Sequence, residues 1–487
     1  MRRTVLTLTS VALAVLRACR MTLVGRAAQD QTEPNTGFVL TDDRPFRTEN
    51  GMPAPRNDTV TERRQRDMGA RRSVFHLSLI TVAVLLAYLV LAAQPVEGHA
   101  GHLGGTPPVW DPQVPGGFTF DQVADIGSAG TDMEIVSSNG RLFAADQSGY
   151  VMLVDHASGD QRQVLNITSL TPDDTRGERG LHSILAHPDF DNNGWLYAAY
   201  TRRTMGGIAV HNRISRFTWD AASRTFPTSS EELVRKYPSL ANEGPNHYGF
   251  GMTFAAGKLY VFTGDHSQPA NPPPDSAQRA QSLDSPYGKV LRYNDDGSIP
   301  TTNPYYQMQK GGARAIWARG LRNPTHADFQ PDTGRLWFTD TGNAPLSGSA
   351  GYEEVDATAN AANYGWPINS GPVDDLAYKN PVLWYAHPRD SLPDSLTSGC
   401  AVTGGSFYSG SIAKSYPERF HDDFFVTDVG CSDHSWIAAV DTTTKSVEVF
   451  ADGLVWTVDL EFDRHGRLYA LSHTGQISRI LQNTSPE

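Results

Sequence analysis

Cysteine is scarce in this sequence, with three in 487 residues. Cys19 falls in an N-terminal leader, so the folded part holds only Cys400 and Cys431 and has room for one disulfide. Positive charge is also short: 41 Lys and Arg stand against 53 Asp and Glu. Nucleic acid, whose phosphates demand a basic face, is excluded as a partner. What the chain has in quantity is Gly, 44 residues, and Pro, 31, scattered rather than clustered. That distribution suits many short strands joined by turns and argues against long helices. The length admits two or three average domains or one large all-β domain.

Two apolar stretches lie in the first hundred residues. Val5 to Leu16, after Arg2 and Arg3, has the charged start and short apolar core of a signal peptide. Arg64 to Arg72 is dense in arginine and leads into the apolar run Val74 to Ala93, in which His76 is the only ionisable residue apart from a tyrosine. About twenty such residues suffice to cross a bilayer as a helix, and serve equally as a long signal core. Residues 1–72 read as a disordered leader, polar and aperiodic over Arg26 to Arg72, with Met68 as an alternative translation start. Residues 73–98 read as a signal peptide or a single transmembrane anchor. In either case the arginines before the run keep the N-terminus cytoplasmic and send everything after Ala93 across the membrane. The folded part is therefore expected to be secreted or membrane-anchored on the extracytoplasmic side. Asn57, Asn166 and Asn483 open glycosylation acceptor patterns, usable in a eukaryote beyond the membrane. In that compartment Cys400 and Cys431 read as one disulfide, the alternative being two buried thiols.

Past Gly105 a small pattern recurs: a turn residue, a spacer, then two apolar or aromatic residues that open a strand. The copies are Gly140-Arg-Leu-Phe143, Gly194-Trp-Leu-Tyr197, Gly257-Lys-Leu-Tyr260, Gly334-Arg-Leu-Trp337, Asp422-Asp-Phe-Phe425 and Gly466-Arg-Leu-Tyr469. A second apolar strand follows most of them, as at Val151 to Val154, Ile214 to Phe217 and Val290 to Tyr293. Six units of roughly 60 residues each match four-stranded blades with generous loops. A lone sheet of this kind cannot bury both faces, so the blades stack and close into a ring. A β-sandwich gives no reason for the recurring unit. The expected fold is an all-β six-bladed β-propeller over residues 109–481, preceded by the disordered, membrane-targeting segment.

Propellers carry chemistry on the loops that converge on the central channel. Four segments stand out: Gly180-Leu-His-Ser-Ile-Leu-Ala-His-Pro-Asp-Phe190 with Asn193-Gly-Trp-Leu-Tyr197; Asn246-His-Tyr-Gly-Phe-Gly251 with Thr263-Gly-Asp265; Leu283 to Arg292 with Asp296-Gly297 and Asn303-Pro304; and Gly320-Leu-Arg-Asn-Pro324 with Glu353-Glu-Val-Asp356 and Asn363-Tyr-Gly-Trp-Pro367. In this order, from about Asp132 to Ile480, they resemble the soluble glucose/sorbosone dehydrogenase family. The resemblance implies oxidation of an aldose or related sugar alcohol with pyrroloquinoline quinone (PQQ) and calcium, electrons passing to an external acceptor. It implies His247 as the base that takes the hydroxyl proton and Asp265 as the carboxylate that orients it; an imidazole suits the task because its pKa lies near working pH. It implies contact of Arg322 and Asn323 with the quinone oxygens, where a fixed cation stabilises the reduced, anionic form. Glu178 matches a sugar-contacting position, Trp384 an aromatic wall over the cofactor with Arg389 nearby, and Gly342 and Asn343 the carbonyls that hold calcium.

The match fails in one respect. The family neutralises the three PQQ carboxylates with a lysine on the fifth blade and an arginine pair before the last. Here the corresponding stretches, Val426 to His434 and Gly453 to Asp459, contain neither residue type, and Asp428 and Asp433 are expected to repel the cofactor. Arg389, Arg319 and His434 are the candidate replacements. The segment Gly399 to Gly405 together with Cys431 resembles a branch of the family with paired cysteines, which includes Hedgehog-interacting-protein-like ectodomains. A carbohydrate- or protein-binding propeller without quinone is therefore the alternative to the enzyme. A calcium-dependent lactonase or esterase propeller would need a carboxylate/Asn ring, and no clear set is present. For the disulfide, a thiol count on denatured mature protein should give zero, and a count of two would refute the bridge.

Overall fold

The computed structural model describes residues 112–127, 129–136, 138–172, 177–203, 209–238, 246–266, 274–342, 351–387, 399–408, 412–430 and 435–483. The expected leader and the Val74 to Ala93 run lie outside them. Among the described residues no helix is long and apolar enough to cross a membrane.

Twenty-four strands among the described residues form six four-stranded antiparallel sheets. The innermost strands are β2 (Gly130–Ile135), β6 (Leu181–Ala186), β10 (Gly249–Ala255), β14 (Pro324–Gln330), β18 (Val402–Phe407) and β22 (Thr457–Phe462). Each touches the next and β22 touches β2, which closes the ring. The second strands are β3 (Leu142–Asp146), β7 (Trp195–Arg203), β11 (Lys258–Thr263), β15 (Arg335–Asp340), β19 (Phe424–Asp428) and β23 (Leu468–Ser472). The third are β4 (Tyr150–Val154), β8 (Ala209–Thr218), β12 (Lys289–Tyr293), β16 (Gly351–Ala357), β20 (Ser435–Val440) and β24 (Gln476–Gln482). The outermost are β5 (Gln161–Asn166), β9 (Glu232–Lys236), β13 (Ile316–Arg319), β17 (Leu383–His387), β21 (Val447–Leu454) and, on the last sheet, β1 (Phe118–Asp125). Two short helices, α1 (Phe190–Asn193) and α2 (Pro274–Gln281), are the α-helices among the described residues. This is the expected six-bladed propeller.

The repeat now has a physical cause. Every copy enters the second strand of a sheet, and its first residue has a positive φ: 70° at Gly140, 65° at Gly194, 69° at Gly257, Gly334 and Asp422, and 75° at Gly466. A left-handed turn residue costs glycine nothing sterically, and Asp is among the few side chains that tolerate it. The Leu-aromatic pair that follows is buried between adjacent sheets, as at Leu142 and Phe143 or Leu468 and Tyr469.

Ring closure depends on β1, which pairs antiparallel with β24 from Phe118↔Gln482 to Asp125↔Gln476. Phe118 anchors it by edge-on contacts to Tyr416 and Phe450, with centroids 4.8 and 5.1 Å away. The aromatic cluster of Tyr416, Phe420, Phe425, Phe450 and Phe462 fills the space between the last two sheets.

Alternation along three innermost strands points six ionisable side chains into one end of the channel. These are Asp132 and Glu134 on β2, His326 and Asp328 on β14, and Asp459 and Glu461 on β22, around a cavity of about 280 Å³. His326 Nε2 bridges Asp132 Oδ1 at 3.1 Å and Asp459 Oδ1 at 3.0 Å. Burial pushes Asp132 up to about 7, Glu134 to about 8 and Asp328 to about 6, with repulsion from neighbouring carboxylates adding to all three. For His326 burial works downward, but Asp459 and Asp132 outweigh it and carry the imidazole up to about 10. Raised carboxylates give stability that is complete below their unfolded value, about 4, and is lost as pH climbs through their folded values. The raised imidazole acts in the same direction between about 6.5 and 10. The melting temperature should therefore fall between pH 5 and pH 8. Glu134→Gln should raise it at pH 8 more than at pH 5, and scanning calorimetry showing an equal shift at both would contradict this origin.

Candidate functional site

The opposite end of the channel holds a cavity of about 160 Å³ whose wall includes Glu178, Gly249, Asn323 and Thr341. Just behind that wall His247, 1% exposed, and Arg322, 3% exposed, are in contact. His247 Nδ1 meets Asp265 Oδ1 at 3.2 Å, and Arg322 Nη2 meets His247 Nε2 at 2.8 Å. A guanidinium only donates, so Nε2 accepts and the proton sits on Nδ1, donated to Asp265. One neutral tautomer satisfies both contacts. Burial lowers the imidazole pKa, the Arg322 charge lowers it further, and together they outweigh Asp265. Burial would raise Asp265, but the hydrogen bond from His247 and the nearby positive charge hold it below the usual carboxylate range.

The backbone builds this geometry. His247 precedes β10 with φ at 60°, a left-handed conformation uncommon outside glycine, although histidine enters it more often than most side chains. Gly264, between β11 and Asp265, lies where an added Cβ would be 2.0 Å from the His247 carbonyl, so only glycine lets the two loops approach. His266 N donates to the same carbonyl at 3.0 Å. Arg322 and Asn323 form the turn into β14, and the Asp340 carboxylate at the end of β15 accepts both of their backbone N–H groups, at 3.0 and 2.6 Å. The guanidinium also donates to Thr341 O at 2.7 Å. Asn323 Nδ2 donates to Glu178 Oε1 at 3.1 Å, while its Oδ1 accepts Gly249 N at 2.9 Å. Tyr248 N donates to Glu178 Oε2 at 2.9 Å.

The structure thus gathers five of the residues singled out from sequence: Glu178, His247, Asp265, Arg322 and Asn323. Gly342 follows β15 nearby, its N–H donating to Glu353 Oε2 at 3.2 Å, and the Tyr352 carbonyl leaves no room for a Cβ there. Asn343, Arg389, Cys431, Asp433 and His434 lie outside the described residues. Cys400 is disulfide-bonded and lines the cavity. Trp384 is not brought to the site. It sits on the outermost strand β17, 40% exposed, because the alternation that buries Tyr385 turns Trp384 outward. Asp428 does not face the cavity either: Cys400 N and Gly430 N donate to its Oδ1 at 2.8 Å each, and Tyr385 Oη to its Oδ2 at 2.6 Å. Its expected repulsion of a ligand is replaced by an internal structural role. Arg319 ends β13, the outer strand of its sheet, and is not on the wall.

Trp366 received no role from sequence, although it was part of a quoted motif. Its Nε1 donates to Asp265 Oδ2 at 2.8 Å, and the Arg322 guanidinium lies over its ring, 5.6 Å from the centroid. The indole therefore holds both ends of the Asp265–His247–Arg322 line.

These features define a six-bladed propeller with a buried carboxylate–imidazole–guanidinium line behind the wall of its axial cavity. The glucose/sorbosone dehydrogenase family model matches residues 130–479, and the chain belongs to that family. Aldose sugar dehydrogenase YliI of Escherichia coli (strain K12) is 29% identical over 245 residues, covering 48% of this chain and 58% of that protein. Quinoprotein glucose dehydrogenase B of Acinetobacter calcoaceticus is 28% identical over 272 residues, 53% of this chain and 54% of that one. The mouse (Mus musculus) Hedgehog-interacting protein is 29% identical over 197 residues, 38% of this chain and 27% of that one. The chain thus spans little more than half of the two bacterial relatives. The crystal structure of the soluble aldose sugar dehydrogenase from Escherichia coli in the apo-form superposes with a TM-score of 0.59 at 18% identity, over 75% of this chain and 99% of that one, a likeness of fold.

Trp366→Phe keeps a ring beneath Arg322 but removes the indole N–H that donates to buried Asp265 Oδ2. The expected loss is about 1–3 kcal/mol in a denaturant titration. A loss below about 0.5 kcal/mol, the level of a neutral surface change, would mean that the indole N–H does not hold Asp265.

Proposed function

We propose that this chain oxidises an aldose or related sugar alcohol on the extracytoplasmic side of a membrane, with PQQ and calcium as cofactors and an external electron acceptor. The observation that supports this reading is the line Asp265–His247–Arg322 with Asn323 beside it. Its residues fit the quinone end of PQQ: the guanidinium and the amide would hold the quinone oxygens, on a turn fixed by Asp340. When bound, PQQ supplies the acceptor for the hydride that a sugar carbon gives up. His247 takes the hydroxyl proton at Nε2, with Asp265 stabilising the imidazolium. In the present arrangement Arg322 occupies Nε2, so the base becomes available when the guanidinium exchanges that nitrogen for an oxygen acceptor. Glu178 would meet a sugar hydroxyl. The carbonyls of Gly342 and Asn343 are the proposed calcium donors, with the Glu353 carboxylate adding negative charge one hydrogen bond from Gly342 N.

A second reading rests on the cavity wall. Among the described residues no lysine or arginine lines it; the one imidazolium there, His326, is already paired with Asp132 and Asp459, and the rest includes Ala401, Val429, Val458 and His473, whose pKa burial lowers. Carboxylates buried there without partners would cost several kcal/mol. That wall suits a sugar- or protein-binding propeller that lacks the quinone.

Titration of the full chain with PQQ and calcium separates the two. Binding in the micromolar range is expected, and His247→Ala should keep that affinity while dye reduction falls ~10²–10⁴-fold. The lowered His247 pKa sets the sign of the pH profile: the rate rises as the base deprotonates, with its acid limb below about 6.5. Absence of PQQ binding would remove the dehydrogenase and leave the binding propeller.

A further inference from the structure

Strand β2 begins at the cavity that Glu178 lines and ends at the opposite face. On that opposite face the β2–β3 turn, the β4–β5 hairpin and the β8–β9 connection enclose a groove of about 630 Å³. Three guanidiniums line it, those of Arg141, Arg162 and Arg224. Arg141 and Arg162 both lie over the Trp219 ring, 5.1 and 5.8 Å from its centroid. The indole therefore holds two like charges in one place by cation–π attraction. Arg162 Nη2 is buried with no hydrogen-bond partner, and burial together with the charges of Arg224 and Arg141 lowers the Arg162 pKa. No carboxylate enters that balance. Two nearby acids keep their charge: Asp155 Oδ1 accepts Ala157 N and Ser158 N at 2.9 and 3.1 Å, and Asp191 Oδ1 accepts Asn139 Nδ2 at 2.6 Å while the Arg141 charge helps to hold it ionised. Asp160 remains on the rim. In a chain of net charge −12, this groove gathers three guanidiniums against two lining carboxylates, Asp155 and Asp160, and Arg162 has no carboxylate acting on it.

We propose that this groove is an oxyanion site, taking a sulfate or phosphate group through Arg141, Arg162 and Arg224. Planar guanidinium forks match the oxygens of such groups, and an anion relieves the repulsion among the three cations. The group is either a free ion or an ester carried on a polysaccharide. The site is remote from the axial cavity, so it stands whether or not the chain oxidises sugars.

Calorimetric titration of the full chain at low ionic strength tests this with sodium sulfate, sodium phosphate, dextran sulfate and uncharged dextran. The anions should bind, uncharged dextran should not, and added salt should weaken binding. Arg162→Ala should reduce affinity at least tenfold. Arg224 is exposed, so Arg224→Glu should fold normally and do the same. Arg419→Glu, an equal change of charge at another exposed position, should leave affinity unchanged. Dextran sulfate binding at least tenfold more tightly per sulfate than the free ion identifies an ester on a chain, and equal affinity identifies the ion. The proposal is overturned if none of the anions binds, or if Arg224→Glu and Arg419→Glu behave alike.

Discussion

Closure of the ring is the constraint from which the rest of the molecule follows. The last sheet takes three strands from the C-terminal end of the chain and its fourth, β1, from a point more than three hundred residues earlier. Pairing of β1 with β24 ties the two ends of the propeller together and removes what would otherwise be the exposed edge of β24. Because the ring is closed, the six innermost strands are held at fixed separations around a channel. The site depends on those separations: Glu178 precedes β6, His247 precedes β10, Asp265 follows β11 and Arg322 precedes β14, so three neighbouring sheets each contribute to one hydrogen-bonded group.

Within that frame the two ends of the channel solve opposite electrostatic problems. At one end six ionisable groups face each other and burial raises the pKa of Asp132, Glu134 and Asp328, with His326 as the shared cation. At the other end an imidazole lies between a carboxylate and a guanidinium, and burial with Arg322 keeps it neutral although Asp265 is within 3.2 Å. The difference lies in what touches each ring. His326 has carboxylates on Nε2 from two sheets. His247 has one on Nδ1, opposed by a cation on Nε2. A histidine between two carboxylates stays a cation through neutral pH, whereas one between a carboxylate and a guanidinium cation can exchange a proton.

Much of the fold was legible because one steric demand recurs: a left-handed residue before each second strand writes Gly, or once Asp422, into the sequence at blade spacing. Strand β1 carried no such mark, since an outermost strand needs no turn of that type, and the closure it provides was invisible without three-dimensional pairing. The gathered site residues sit in turns whose composition is dictated by close backbone approach, as Gly264 shows. Trp384 was misplaced because nearness to a motif in sequence says nothing of which face of an edge strand a side chain takes. Asp428 was read as a free charge because sequence does not reveal that three donors converge on it. The ionisable pairs at the far end of the channel, two of acids and one of His326 with Asp328, follow an i, i+2 pattern that was present in the sequence, yet only the stacking of β2, β14 and β22 turns three separate pairs into one cluster.

Energetics also bear on whether the polar line behind the axial cavity is more than scaffold. His247 holds a left-handed conformation that costs a non-glycine residue of order 1–3 kcal/mol. Arg322 is 3% exposed, and burying a guanidinium is unfavourable unless every contact compensates. Glycine at one position and an apolar side chain at the other would give a propeller with less strain and less desolvation, as the glycines at five of the six repeat turns illustrate. Strain and buried charge persist only where the surroundings over-determine them, and here Asp265, Trp366, Thr341 and Asp340 all do so. Four separate supports converge on two costly residues, while among the described residues the lining of the same cavity carries no lysine or arginine and includes Ala401, Val429 and Val458. This contrast is what a site for a polar reacting group requires, with charged machinery for the reaction and a lining for the body of the ligand.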